Sequence, residues 1–194
     1  PSVDAQRPSL RRLQTLQRSN NLVLDSDATF TFSGGSLSTP KLNSDQIPQV
    51  RPSSTSAVGT YGANSETISK IGTNVSVVAG KVYNLAGGSF TETDAEAEAD
   101  SKGLLAVASA TGTTNGTDMV LKGAVKLSTN AAFSSASIGD PVYLRGADGA
   151  QTNKGTLTAT PPSTPGDIVR IVGYVTDPAN GIVYFNPDNS YIEV

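Results

Sequence analysis

The densest set of chemically capable side chains in this chain is the run TETDAEAEAD. It places Glu92, Asp94, Glu96, Glu98 and Asp100 within nine residues, with no basic residue among them. Two carboxylates at a suitable separation can hydrolyse a glycoside, and clustered carboxylates can hold Ca²⁺. In a strand all five would share one face; in a helix they would spread around it. The run lacks the D-x-[DN]-x-[DN]-G spacing of a calcium loop, and glycosidase pairs usually come from separate elements. A solvated loop or helix face is the simpler reading, so no catalytic, metal-binding or cofactor-binding residue is assigned.

Three zero counts narrow the chemistry further. The chain has no His, no Cys and no Trp. Without His there is no imidazole base or ligand, which removes Ser-His-Asp triads and His-ligated zinc. Without Cys there are no thiol nucleophiles, disulfides or thiolate metal sites. Without Trp the strongest stacking platform for sugars or bases is missing, although Tyr and Phe remain. Gly80-Lys81 lacks the spacing and the Ser or Thr of a P-loop, and neither G-x-G-x-x-G nor G-x-S-x-G occurs. Asn74-Val75-Ser76 and Asn115-Gly116-Thr117 fit glycosylation sequons, which are common by chance. Tyr83, Tyr143, Tyr174 and Tyr184 fall inside strand candidates, where core or interface packing is the default.

The elements that hold these residues follow from composition and pattern. The chain has 194 residues, 16% of them charged, and 19 are Gly. Such a balance suits short strands joined by Gly- and Pro-marked turns and suits a helical bundle badly. Strands are expected at Val75–Leu85, Gly103–Ser109, Met119–Leu127, Pro141–Arg145, Ile168–Thr176, Ile182–Phe185 and Tyr191–Val194. Asp148-Gly149 is a hairpin signal. Runs such as IVRIVGYV and GLLAVA lack clean alternation, which predicts strands covered on both sides, with Ile168–Thr176 central. GKVYNLAGG and GDPVYLRGADG resemble each other, so the same strand–turn–strand device is expected twice. Residues 67–194 therefore read as a small antiparallel β-barrel or sandwich.

Upstream the chain changes character. Residues 1–24 hold Arg7, Arg11, Arg12 and Arg18 against one acid, Asp4. Ser9 after Pro8 can cap a two-turn helix whose narrow apolar stripe is Leu10, Leu13 and Leu16. So short a helix is marginal alone, which leaves two readings: a frayed basic terminus, or an anchor that orders on a larger partner. Residues 25–66 form an extended arm with a short strand or hairpin at 22–32, then a stretch carrying Pro40, Pro48 and Pro52. Leu37, Leu42, Ile47 and Val50 are spaced as pegs along a neighbour's surface would be; a disordered linker is the alternative. The net charge of −3 argues against a nucleic-acid partner. No apolar run reaches a membrane span and the N-terminus lacks a signal-peptide core, so the chain is expected to be made in the cytoplasm and to need no membrane.

Three segments carry a family resemblance: GKVYNLAGGSFTETDAEAEADSKGLLAVASA, GDPVYLRGADGAQT and GDIVRIVGYVTDPANGIVYFNPDNSYIEV. Together they resemble a β module of tailed-bacteriophage structural proteins, similar to the C-terminal module of capsid decoration (cement) proteins and of virion fibre-type proteins. The resemblance implies a non-enzymatic virion component, usually a homotrimer, whose partner is the major capsid protein or another virion protein. With the arm read as an anchor from its own composition, the four Arg and three Leu of residues 7–18 form the partner-binding surface. A head or tail fibre with a receptor-facing β knob is the alternative within the same class. A glycan-binding or glycan-hydrolysing protein using residues 92–100 is the alternative from another class.

Overall fold

The structure is a computed structural model, and it describes residues 51–127, 131–146 and 151–194. The expected basic helix, the 22–32 strand pair, most of the arm and the Asp148-Gly149 turn lie outside the described residues, as do Arg7, Leu10, Arg11, Arg12, Leu13, Leu16 and Arg18. What is described is mainly β: an antiparallel sheet curled into a half-barrel, with almost no helix.

In chain order the strands are β1 (Glu66–Ile68), β2 (Ser76–Val77), β3 (Val82–Ala86), β4 (Ser89–Glu92), β5 (Leu104–Ala108), β6 (Gly112–Thr113) and β7 (Met119–Lys126). They continue as β8 (Pro141–Leu144), β9 (Leu157–Thr158), β10 (Ile168–Val169), β11 (Ile171–Asp177), β12 (Ile182–Phe185) and β13 (Ile192–Glu193). One short helix, α1 (Glu98–Ser101), follows β4. The main sheet runs β4-β3-β5-β7-β12-β11-β8-β9 with β1 beside β7, while β10 pairs β13 and β2 pairs β6.

Mostly aliphatic side chains fill the inside of the curl. Val82, Leu105, Val107, Val120, Val125 and Val142 join Val172, Val183 and Phe185 in one buried cluster, so β3, β5, β7, β8, β11 and β12 point side chains into a common interior. The two ends of the sheet are tied by backbone hydrogen bonds outside the ladders. Val82 N–H donates to the Gly155 carbonyl at 2.7 Å, Gly155 N–H to Thr93 at 2.8 Å, and Ala95 N–H to Arg145 at 3.2 Å.

A second cluster covers the outside of the β3–β5–β7 region. Tyr83, Phe90, Ala106, Ala108 and Met119 pack with Val77, and Ile68, Ile71 and Val75 lie against them. Strand β5 is consequently buried on both faces, as its unalternating sequence predicts. β11 is interior, flanked by β12 and β8, but the expected strand Ile168–Thr176 is cut at Arg170: Ile168–Val169 pairs with β13 instead. The expected strand Val75–Leu85 is also two strands, divided at a turn around Gly80. β3 then turns into β4 through Gly87 and Gly88, with φ of 57° and 80°. That left-handed pair suits a tight hairpin and favours glycine.

Residues 59–65, read from the sequence as part of the arm, lie along β7. Gly59 N–H donates to Lys126 at 2.8 Å, Lys126 N–H to Thr60 at 2.9 Å, and Gly62 N–H to Ala124 at 2.8 Å.

Tyr83 supplies a pH test of the second cluster. It is 2% exposed, and its hydroxyl oxygen accepts the Val78 N–H at 2.9 Å. Burial pushes its pKa up from 10.0 to about 12; the Val78 bond works the other way and Glu92 adds to the rise. A raised folded-state pKa means that this stability is complete below the unfolded value. It is lost as pH climbs from about 10 towards about 12. Tyr83→Phe should flatten that alkaline loss in urea melts at about pH 8 and about pH 11. At neutral pH it should cost about 1 kcal/mol, because the Val78 N–H loses its acceptor.

Candidate functional site: a tyrosine-lined sheet face

The acidic run does not assemble as one site. Glu92 ends β4 and meets Lys81 Nζ at 2.9 Å. Asp94, 5% exposed, meets Lys154 Nζ at 3.3 Å and accepts the Glu96 N–H at 3.0 Å. Glu98, in α1, accepts from the Tyr191 hydroxyl at 2.7 Å and from Lys102 Nζ at 3.4 Å. The Tyr191 bond, then Lys102, holds the Glu98 carboxyl below the ordinary carboxylate range. The run is thus neither a strand with one acidic face nor a continuous helix: it is an edge strand, a loop and one helical turn. Each change of backbone direction sends its carboxylates to different neighbours. Among the described residues no three acidic side chains come together as a metal would require.

Arg170 is the feature that sequence reasoning missed. It is 1% exposed and donates from Nε to the Asp188 carbonyl at 2.6 Å and from Nη1 to the Ser101 carbonyl at 2.6 Å. Its Nη2 reaches Gly103 O at 3.2 Å and Asn189 Oδ1 at 3.4 Å. Burial lowers its pKa, opposed by Asp188. The planar fork thereby ties the end of α1, the start of β5 and the 188–189 turn at one point. A lone Arg in the apolar run IVRIV was the signal available.

The arrangement with interaction chemistry is the outer face of β7, β12, β11 and β8. Register places Ala124, Tyr184, Tyr174 and Pro141 in one row across these four strands. Tyr174 is 45% exposed and Tyr184 38%, while their strand neighbours Val175, Val183 and Phe185 are buried. The next row pairs Tyr143 with Ile171 and Thr158. Beside it lies a cleft of about 270 Å³, which Tyr143, Val169, Ile171, Tyr191 and Ile192 line and Asp188 borders. Ser190 N–H holds the Asp188 carboxylate at 2.7 Å and keeps its pKa low. Tyr rings with a wet hydroxyl and an apolar body suit such half-exposed positions. Of the tyrosines read from the sequence as strand-borne, Tyr83 is core, Tyr143 is half-buried and Tyr174 and Tyr184 face outward.

No family model matches the chain, and no curated protein or solved structure is significantly similar to it. No helix among the described residues is long and apolar enough to cross a membrane.

Proposed function

We propose that this chain is a non-enzymatic virion structural protein that attaches to a phage capsid and stabilises it as a decoration protein, its copies associating as homotrimers. The observation that carries the reading is the tyrosine-lined face, a half-exposed aromatic surface on a sheet otherwise closed by two buried clusters. Aromatic patches of this kind are what protein interfaces are enriched in. The reading takes the half-barrel as a small β-barrel, its ends joined through Gly155. It is favoured over glycan hydrolysis because Glu92, Asp94 and Glu98 are each tied to a separate structural partner, and it agrees with the resemblance of the β module.

Attachment is assigned to the arm. Arg7, Arg11, Arg12 and Arg18 pair with acidic groups on the shell, and Leu10, Leu13 and Leu16 fill an apolar groove. Exposed ion pairs contribute only about 0–1 kcal/mol each, whereas each fully buried Leu contributes roughly 1.5–3 kcal/mol. The three Leu therefore dominate. Deleting residues 1–24 should weaken co-sedimentation with particles assembled without the protein by about a hundredfold or more. Full-strength binding by the truncated chain would move attachment to the β domain, and its density away from the capsid would favour the fibre reading.

A further inference from the structure

Ile138 is the most exposed large apolar side chain among the described residues, at 75%. It stands just before β8, where Gly139 N–H donates to the Val175 carbonyl at 2.8 Å and Val175 N–H to the Asp140 carbonyl at 2.9 Å. Those bonds extend the β8–β11 pairing upstream, so Ile138 lies at one end of the strip that continues through Pro141 and Tyr174. The cleft between Tyr143 and Ile192 lies at the other end. An aliphatic projection and an aliphatic-lined recess thus occupy opposite ends of one aromatic face.

The charges around this face are of both signs. Lys122 on β7 and Arg145 just beyond β8 stand against Asp140 and Asp188. A strongly one-signed partner would meet repulsion somewhere on that rim. A second copy presents the same alternation and can match it. We infer that this face is where a second copy of the chain docks, Ile138 of one copy seated in the Tyr143–Ile192 cleft of the next. Knob and recess sit at different ends of the strip, so the contact is head-to-tail, and such contacts close into rings when the rotation allows. The contact needs no capsid. Only the ring size of three rests on the function proposed above.

The test uses the full chain in the absence of particles. The wild type should sediment at micromolar concentration as a multiple of 19.9 kDa, and Ile138→Asp should return it to 19.9 kDa with an unchanged far-UV spectrum. Because the chain has no Cys, position-specific cross-linking is clean. Ile138→Cys and Ser190→Cys copies should form a disulfide-linked pair when mixed under oxidising conditions, and neither should do so alone. A monomeric wild type, an assembly that survives Ile138→Asp, or the absence of the mixed disulfide would overturn the inference. A ring of another size counts only against the trimer, and particle binding is read separately from all of these.

Discussion

Arg170→Met should lower the unfolding free energy by about 3 kcal/mol or more, one of the largest single-residue effects expected in this domain. Two opposing terms decide the size. Removing the guanidinium relieves the cost of holding a charge that is 1% exposed. It also strips donors from the carbonyls of Ser101, Gly103 and Asp188, which it reaches at 2.6, 3.2 and 2.6 Å. The Ser101 bond is wholly buried, and a buried carbonyl left without a donor costs about 1–3 kcal/mol; the Gly103 and Asp188 bonds are part-buried and add less, because water can reach those carbonyls. The loss at Ser101 and the broken link between segments nearly seventy residues apart outweigh the relief. Arg170→Lys should recover little: one ammonium cannot span carbonyls that the fork reaches from three nitrogens. Hydrogen exchange should also quicken at Ile168 and Val169, whose pairing with β13 depends on the 188–189 turn. Urea melts of both variants provide the check, and wild-type stability in Arg170→Met would remove the clamp from this account.

Much of the main sheet was legible, for a physical reason. Ile182–Phe185 is the strand that its sequence marks, and β7 and β5 differ from expectation by one residue at an end or at each end. These segments are apolar runs bounded by Gly, Asn or Asp, and their own side chains fill the interior. The strands that escaped notice, β1, β4, β6 and β9, are short or polar. SFTE and ETI gain their conformation from the backbone partners that β3 and β7 offer rather than from their own side chains. The splits at Gly80 and Arg170 were hidden because a propensity reading joins apolar stretches across any single residue.

The candidate site was less legible. That Tyr174 and Tyr184 belong to strands could be read, but which face they take depends on register and on the irregularity between Ile171 and Gly173. A period-two count across that bulge puts the side chains on the wrong side. The acidic run misled in the opposite way. Its composition looked like one site, and the backbone divides it among β4, a loop and α1. Ile138 carried no signal at all: its exposure follows from the turn before β8, not from its neighbours in sequence.

A chain shortened to begin at Arg51 should unfold cooperatively, and one beginning at Ser69 should be less stable by about 5 kcal/mol. The reason lies along β7. Removing residues 51–68 deletes the hydrogen bonds from Gly59 and Gly62 and the one to Thr60, each 2.8–2.9 Å long, together with the β1 ladder. It also deletes Tyr61, which packs on the interior cluster and donates to Asp118 at 2.8 Å, and Ile68, which packs on the second cluster. At about 1 kcal/mol net per hydrogen bond and roughly 2 kcal/mol for each buried apolar side chain, the loss rivals the whole stability of a typical domain, about 5–15 kcal/mol. The uncovered edge of β7 would also invite aggregation. A point change in the full chain isolates the same contact. Gly59 has φ of 86°, and a Cβ there would lie 2.1 Å from the Ser109 carbonyl oxygen, so Gly59→Ala must push this segment off the sheet or strain it. Its melting temperature should fall several degrees, in the same direction as the Ser69 truncation. Matching melts for the Arg51 and Ser69 fragments would instead mean that β7 needs no cover from upstream and that the domain begins where its sequence alone places the boundary, near residue 67.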